Sequence, residues 1–159
     1  PPFLRQVDAL EKLYQDNKDV VEFRIIYIKE AHAADGDWPM DYAKELNITE
    51  HDDLPERCAT AEKLLKDKKL TIPCVADGMD DAVNKAYHAW PDRIFVVRRD
   101  GLLAVAAGQG PWGFEPGLKD TEKWLEEFRK TGKEPELPPK SSDSKAEAGA
   151  NEPRKNTKK

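Results

Sequence analysis

Apolar side chains recur at two different periods along the first 132 residues, and together they predict alternating helices and strands. Three- and four-residue spacing predicts amphipathic helices; they cover residues 2–16, 55–69, 80–88 and about 118–128. Runs rich in β-branched and aromatic residues predict strands; they cover residues 21–28, 71–76, 93–98 and 102–107. A chain with this order belongs to the α/β class.

Turn and loop signals join these elements. Arg99-Asp100-Gly101 separates the last two predicted strands and is a strong hairpin signal. Residues 108–114 form a glycine-rich loop. Residues 30–55 are polar and weakly periodic, with Gly36 and Pro39 as breakers, and predict a long loop. Long loops in compact domains usually serve a function or are disordered.

The element order matches that of a thioredoxin-like fold after its first strand. This predicts a mixed sheet with a C-terminal β-hairpin and helices on both faces, with the first strand missing from the chain. In that architecture a proline that enters the third strand faces the active-site residue. Pro73 is the candidate, and its peptide bond is then cis. An ordinary trans proline at the start of a strand is the alternative.

Composition divides the chain into a domain at residues 1–132 and a polar tail at residues 133–159. The tail holds seven Lys/Arg and five Asp/Glu, so the domain carries 19 against 26, a net charge of −7. An acidic domain argues against a nucleic-acid partner, which needs a clustered basic face. The tail has too few apolar residues to offset its ordering entropy, and we expect it to be disordered.

The same composition bears on localisation. No apolar stretch approaches the length of a membrane span, which predicts a soluble chain that is cytoplasmic by default. The chain begins with Pro1-Pro2 instead of Met, so the sequence leaves open whether an anchor or targeting segment lies upstream.

Ionisable and aromatic side chains follow the first predicted strand directly. Tyr27 ends the apolar run, and Glu30, His32 and Trp38 come next. Ligands of open α/β sheets bind at the carboxyl ends of strands, so this stretch is the candidate site. A histidine near neutral pKa beside a carboxylate suits proton transfer, whereas a satisfied structural histidine is the alternative. Cys58 and Cys74 form no disulfide framework and lack the spacing of metal ligands.

Several segments, in the same order along the chain, resemble the iodothyronine deiodinase family. Pro1-Pro2-Phe3 resembles the segment directly after that family's catalytic selenocysteine or cysteine, and residues 27–38 resemble its Tyr-Ile-x-Glu-Ala-His-x-x-Asp-Gly-Trp signature, here with Asp37 inserted. The remaining matches are His51 with Arg57, Asp77-Gly78-Met79, Pro91-Asp92-Arg93 and Gly108-Gln109-Gly110-Pro111-Trp112.

The resemblance implies a selenol- or thiol-dependent oxidoreductase that removes iodine from an aromatic ring. The nucleophile would immediately precede Pro1, so this fragment alone would be inactive. A low-pKa chalcogen at a helix N-terminus fits such chemistry. The resemblance also implies a small aromatic, iodinated substrate and an external thiol reductant, with no bound cofactor and no metal.

The resemblance also assigns roles to individual residues of this chain, by their positions in the matching segments. Tyr27, Glu30 and His32 would form a proton relay, and His51 and Arg93 would hold opposite ends of the substrate. An arginine suits a carboxylate because its guanidinium pairs in a bidentate way. Trp38 could stack on the ring, although the inserted Asp37 alters its loop. Cys74 is a candidate resolving thiol, since exchange needs a second thiol within reach.

Two other hypotheses remain open at this stage. A peroxiredoxin-like peroxide or thiol reductase would use the same nucleophile, and a non-catalytic thioredoxin-like binding domain would need none. The sequence does not separate an exposed apolar face from the core, so a homodimer is an open expectation drawn from the family.

Overall fold

The computed structural model describes residues 2–136, and within them it contains five helices and four strands. The helices are α1 Pro2–Asn17, α2 Asp41–Glu45, α3 Leu54–Lys68, α4 Ala82–Tyr87 and α5 Phe114–Thr131. The strands are β1 Ile25–Tyr27, β2 Cys74–Ala76, β3 Phe95–Val97 and β4 Leu103–Ala106. The predicted α/β class is confirmed. No helix within these residues is long and apolar enough to cross a membrane.

Local sequence signals explain where the helix α3 begins and ends. The Asp53 side chain accepts a hydrogen bond from the backbone N–H of Glu56 at 2.9 Å, which caps the first turn. Pro55 lies in that turn, where its missing N–H costs nothing. At the other end Lys69 adopts the left-handed conformation, with φ of 54°. The helix therefore occupies nearly the span that periodicity predicts.

The long loop between β1 and α3 is folded on itself and contains the short helix α2, which the sequence pattern does not predict. Ala43 of α2 is fully buried. The Asp35 carboxylate accepts from the backbone N–H of Glu50 at 2.8 Å, and Ala34 N–H donates to the carbonyl of Ile48 at 2.7 Å. Five residues with one buried position give too little periodicity for detection, which explains the omission.

The described strands form two separate sheets instead of the single mixed sheet that the sequence predicts. β1 and β2 are parallel, with Ile25 opposite Cys74 and Tyr27 opposite Ala76. β3 and β4 are antiparallel and joined through Gly101, whose φ of 83° suits the turn. The predicted hairpin is thus confirmed. Within residues 2–136, β1 and β3 each have one edge that pairs with no strand.

An apolar groove of about 1300 Å³ lies between the two sheets. Both β1 and β3 line it, together with residues of α1 and α5. The helix α1 contributes to two buried clusters: Val7 packs with Leu70 and Ile72, and Leu13 packs with Leu118 and Leu125. Burial of this apolar face, at roughly 25 cal/mol per Å², holds α1 between the two halves of the fold.

Of the two alternatives for Pro73, the ordinary trans proline at the start of a strand holds. Among residues 2–136, the cis peptide bonds are Trp90–Pro91 and Gly110–Pro111. The Pro73 carbonyl accepts from the Ile25 N–H at 2.9 Å and so begins the β1–β2 ladder. A proline suits this place, since the first residue of a strand need not donate to the sheet. It is Pro91 that precedes the hairpin strand β3.

Residues 133–136, which composition assigns to the tail, come after Gly132 and contact the hairpin. The Glu134 carboxylate accepts from the backbone N–H of Arg99 at 2.9 Å and lies 3.6 Å from the Arg98 guanidinium. The rest of the predicted tail, residues 137–159, lies outside the described residues.

Candidate active site

The polar residues that the sequence singles out after β1 lie at the carboxyl edge of the parallel pair. β1 ends at Tyr27 and β2 ends beside it at Ala76, and the Asp77 N–H continues the ladder to the Tyr27 carbonyl at 2.8 Å. Glu30 and His32 follow β1, so the turn after each strand contributes to the same edge. This is the position at which open α/β sheets bind ligands.

Tyr27 and Glu30 form a direct pair at this edge. The Tyr27 hydroxyl donates a hydrogen bond to the Glu30 carboxylate. Burial raises the pKa of Tyr27 well above its usual range, and the neighbouring charge of Glu30 raises it further. The phenol therefore keeps its proton at neutral pH and can pass a proton only through its hydrogen-bond partner.

A second phenol, Tyr42, belongs to the same cluster and was missed by the sequence reasoning. It lies on α2, and burial raises its pKa, with the Glu30 carboxylate acting in the same direction. Glu30 therefore lies near two tyrosines from different elements. Tyr42 is a single aromatic residue in a stretch predicted to be a polar loop. The sequence pattern therefore did not mark it as a site residue, because α2 itself was not predicted.

His32 is oriented by the loop that follows it. Its Nδ1 lies 3.0 Å from the backbone carbonyl of Trp38, which makes Nδ1 the donor in the neutral ring and leaves Nε2 free to accept. Trp38 orients His32 through its backbone carbonyl group. The residue itself is 69% exposed and lines the groove. Both residues line the groove together with Tyr27.

His51 lies beside the Tyr27–Glu30 pair. The rings of Tyr27 and His51 are 5.9 Å apart, centre to centre, and tilted by 58°. Burial lowers the pKa of His51, and the charge of Arg57 lowers it too, whereas Glu30 acts in the opposite direction. His51 is thus a neutral imidazole at neutral pH. Neither ring nitrogen has a hydrogen-bond partner among the described residues.

Arg57 holds the turn between β2 and α4 in place beside the site, a role that the sequence match did not reveal. It is 3% exposed, and its Nη1 donates to the carbonyls of Asp77 and Gly78 at 3.1 and 2.7 Å and to the Asp81 carboxylate at 3.1 Å. The Asp77 carboxylate in turn accepts three backbone N–H groups, from Gly78, Val83 and Asn84. Arg57 thus ties α3 to the turn between β2 and α4.

Arg93, predicted to hold one end of a substrate, is largely engaged by the backbone. Its Nε donates to the Ala107 carbonyl at 2.5 Å, and its Nη1 donates to the carbonyls of Tyr87 and His88 at 3.1 and 3.3 Å. Its guanidinium also lies 5.1 Å from the centre of the Phe95 ring. The role of Arg93 in binding stays a prediction, and its structural contacts are substantial.

Cys74, the candidate resolving thiol, is the first residue of β2 and pairs with Ile25, at the opposite end of the ladder from Tyr27. Burial raises the pKa of the Cys74 thiol, which disfavours the reactive thiolate. Cys58 and Cys74 are both free. A resolving role stays a prediction, and local burial acts against it.

Two further findings complete the inventory of the site. Trp112, at the end of the glycine-rich segment that resembles the family, is 85% exposed. Across residues 2–136 no group of three His, Cys, Asp or Glu side chains is arranged to hold a metal ion.

Together the fold and the site define an α/β domain with a phenol–carboxylate–imidazole cluster at the ends of its parallel strands. A family model described as iodothyronine deiodinase matches residues 1–129. The chain belongs to the iodothyronine deiodinase family.

Individual relatives agree with this assignment. The type II iodothyronine deiodinase of Neoceratodus forsteri is 38% identical over 135 residues, which cover 82% of this chain and 49% of the relative. The human type II iodothyronine deiodinase is 36% identical over 142 residues, covering 86% and 50%. The chain therefore spans about half the length of the curated relatives that it matches.

Proposed function

We propose that the protein is a selenol- or thiol-dependent oxidoreductase that removes iodine from an aromatic ring. The observation that carries the proposal is the Tyr27–Glu30 hydrogen bond beside the neutral His51, in a chain of the iodothyronine deiodinase family. The names of the relatives assign this activity to those proteins. For this chain the activity, its iodinated aromatic substrate and an external thiol reductant belong to the proposal.

The scaffold of this proposal is a thioredoxin-like fold. Its support is the groove lined by β1 and β3, because each of these strands has one unpaired edge within residues 2–136 and most of the residues that line the groove are apolar. One extended strand between these edges would join the two sheets into one. We assign this place to the segment directly before Pro1, which would then lead into α1.

The nucleophile in this arrangement is the residue immediately before Pro1, a selenocysteine or cysteine. Phe3 and Leu4 of α1 line the same groove as Tyr27, Glu30 and His32, so a residue at the start of α1 would lie near the proton donors. The positive end of the α1 dipole would stabilise its anion.

The chemistry proceeds in two balanced steps. The chalcogenide attacks the iodine of a carbon–iodine bond, and a proton reaches the ring carbon, which gives the deiodinated ring and a chalcogenyl iodide. Two thiols then reduce the chalcogenyl iodide to the free chalcogenol, and a disulfide, an iodide ion and a proton are released. Tyr27, Glu30 and His32 relay the proton that reaches the ring carbon. A positioned general acid commonly contributes 10²–10⁴-fold to a rate.

Substrate contacts in the proposal lie at the edge of the groove, beyond the place assigned to the added strand. Trp38, with its exposed indole, stacks on the aromatic substrate, and His51 contacts it directly. Arg93 contacts it only through Nη2, since Nε and Nη1 hold backbone carbonyls. No bound cofactor takes part.

The test uses the full-length protein with its natural residue before Pro1, supplied with a dithiol. Release of iodide from an iodothyronine is measured beside reduction of hydrogen peroxide, and the matched control carries serine at the position before Pro1. We expect iodide release that the serine control lacks. Activity on peroxide alone would replace this proposal with a peroxiredoxin-like reductase, and inactivity on both would favour a non-catalytic binding domain.

A further inference from the structure

Asp92 belongs to one of the segments that resemble the family, Pro91-Asp92-Arg93, but the proposed chemistry leaves its carboxyl group without a role. The residue lies in the turn before β3 and lines the same groove as His32. Its Oδ1 is buried and has no hydrogen-bond partner among the described residues. Buried polar atoms are nearly always paired, so an unpaired carboxyl oxygen in the wall of this groove needs a physical explanation.

The backbone around Asp92 is held firmly in place. The Gly110 N–H donates to the Asp92 carbonyl at 2.9 Å, and Gln109 Nε2 donates to the Trp90 carbonyl at 2.8 Å. The guanidinium of Arg93, the next residue, donates to backbone carbonyls. The segment that carries Asp92 is therefore fixed on both sides of this residue.

The carboxyl group itself packs against the glycine-rich loop. A Cβ built on Gly110 would lie within 2.5 Å of all three atoms of the Asp92 carboxyl group, so this close approach requires a glycine. Contact with a backbone that is itself hydrogen-bonded restricts the positions open to the carboxyl group. Asp92 thus presents a placed carboxyl group, and not a mobile one, in the wall of the groove.

His32 supplies the charge that acts on Asp92 within the described part of the chain. The glycine-rich loop at residues 108–114 has no ionisable side chain, and the Arg93 guanidinium is directed to backbone carbonyls. Burial raises the pKa of Asp92, whereas the positive charge of His32 lowers it. An interaction between charges weakens with distance, so the two side chains lie near each other across the groove.

The ring of His32 is oriented so that one nitrogen stays available. Its Nδ1 lies 3.0 Å from the Trp38 carbonyl, which leaves Nε2 free. The other ionisable side chains that line the groove near the end of β1 are Tyr27, Lys29, Glu30 and Tyr42. The Glu30 carboxylate already accepts a hydrogen bond from the Tyr27 hydroxyl. Asp92 is therefore a second carboxylate at this edge, and it comes from a different segment of the chain.

Resting on the proposed function, we propose that Asp92 is a positioning residue that stabilises the protonated form of His32, from which the proton passes to the ring carbon. A carboxylate close to an imidazole favours the imidazolium, because opposite charges attract strongly in a partly buried place. No bond to Asp92 forms or breaks in this role, and its charge stays the same while the proton leaves His32.

The first test measures the interaction without turnover. In the full-length protein with serine before Pro1, carbon NMR of the aspartate carboxyl groups follows the ionisation of Asp92, with His32 intact and in His32→Gln. We expect the pKa of Asp92 to be higher in His32→Gln, with an acid dissociation constant about three- to tenfold smaller, because the neighbouring cation is lost. An unchanged titration of Asp92 in a folded His32→Gln protein would overturn the inference.

The second test follows the pH dependence of the reaction. Single-turnover iodide release by the full-length protein, with its natural residue before Pro1, is measured across pH for the unaltered protein, Asp92→Asn and Asp120→Asn. Loss of the Asp92 charge should move the fall in rate on the alkaline side to a proton concentration about three- to tenfold higher. Asp120→Asn is the matched control, because Asp120 is exposed on α5, outside the groove, and its loss should leave the profile in place.

Each outcome decides the inference. A lower rate in Asp92→Asn with the pH profile in its original place would indicate a structural role and overturn the inference. An equal movement of the profile in Asp120→Asn would overturn it as well, since the cause would then be net charge. The NMR result separates this inference from the proposed function. Coupling between Asp92 and His32 without iodide release would contradict the proposed function alone.

Discussion

The Tyr27 hydroxyl donates a hydrogen bond to the Glu30 carboxylate across the three-residue step at which β1 ends. Two residues this close in sequence could not meet on a continuing strand, since residues i and i+3 point to opposite faces. The pair exists because the strand stops at Tyr27 and the chain bends back. The end of the strand is therefore part of the catalytic geometry that we propose.

Removing the phenol hydroxyl tests the proton relay. In the full-length protein, Tyr27→Phe should lower the rate of single-turnover iodide release about 10²-fold, because a positioned proton donor contributes on that order. The control is Tyr14→Phe. Tyr14 lies on α1, packs against Phe23 with ring centres 5.5 Å apart, and does not line the groove. Equal rates in the two variants would exclude Tyr27 from the relay.

Removing the buried guanidinium should be costly for stability. Arg57→Leu leaves the carbonyls of Asp77 and Gly78 and the Asp81 carboxylate without their donor, and we expect a loss of about 3–5 kcal/mol in urea unfolding. Lys63→Leu on the same helix removes an exposed i,i+4 pair with Asp67 and should change stability by less than about 0.5 kcal/mol. Similar losses in both variants would argue against the structural role of Arg57.

The contact between α5 and Ala107, the residue that follows β4, depends on the absence of a side chain at Gly117. A Cβ on Gly117 would lie 2.2 Å from the Cβ of Ala107, so Gly117→Ala should destabilise the fold by about 1–3 kcal/mol through overpacking. The double variant Gly117→Ala/Ala107→Gly moves the methyl group to the other partner and should recover most of that loss. Thermal unfolding of the three proteins measures this, and failure of the double variant to recover would place the cause elsewhere.

The imidazole of His51, which is half-buried, predicts how stability responds to acid. Its pKa is lowered in the folded protein, whereas in the unfolded chain it is about 6.5. As pH falls below that value the unfolded state binds a proton that the folded state resists, so this contribution is present above about pH 6.5 and is lost at lower pH. His51→Gln should flatten the fall in stability below that pH.

Chemical denaturation at several pH values, together with NMR titration of the imidazole signals, measures the response of His51. His88→Gln is the control, because His88 is exposed at the end of α4. An imidazole signal of His51 that titrates at or above the ordinary value would contradict the burial argument.

The sequence predicted the elements and the chemical cluster because both depend on local patterns. Amphipathic spacing located the long helices, the Arg99-Asp100-Gly101 turn located the hairpin, and the run from Tyr27 to His32 placed the polar residues at a strand end. The short helix α2 escaped detection, and Tyr42 with it, because five residues carry too little periodic signal.

The sequence by itself therefore determined the family, the order of elements and which residues lie at the end of β1, since each is a property of neighbouring residues. Only the tertiary structure decided which distant residues meet there. It placed Arg57 near His51, engaged Arg93 with backbone carbonyls and separated the two sheets by a groove. It also put a cis peptide bond before Pro91, at the start of the hairpin, and not before Pro73. These relations arise from packing between segments far apart in the chain, where no local pattern specifies which donor finds which acceptor.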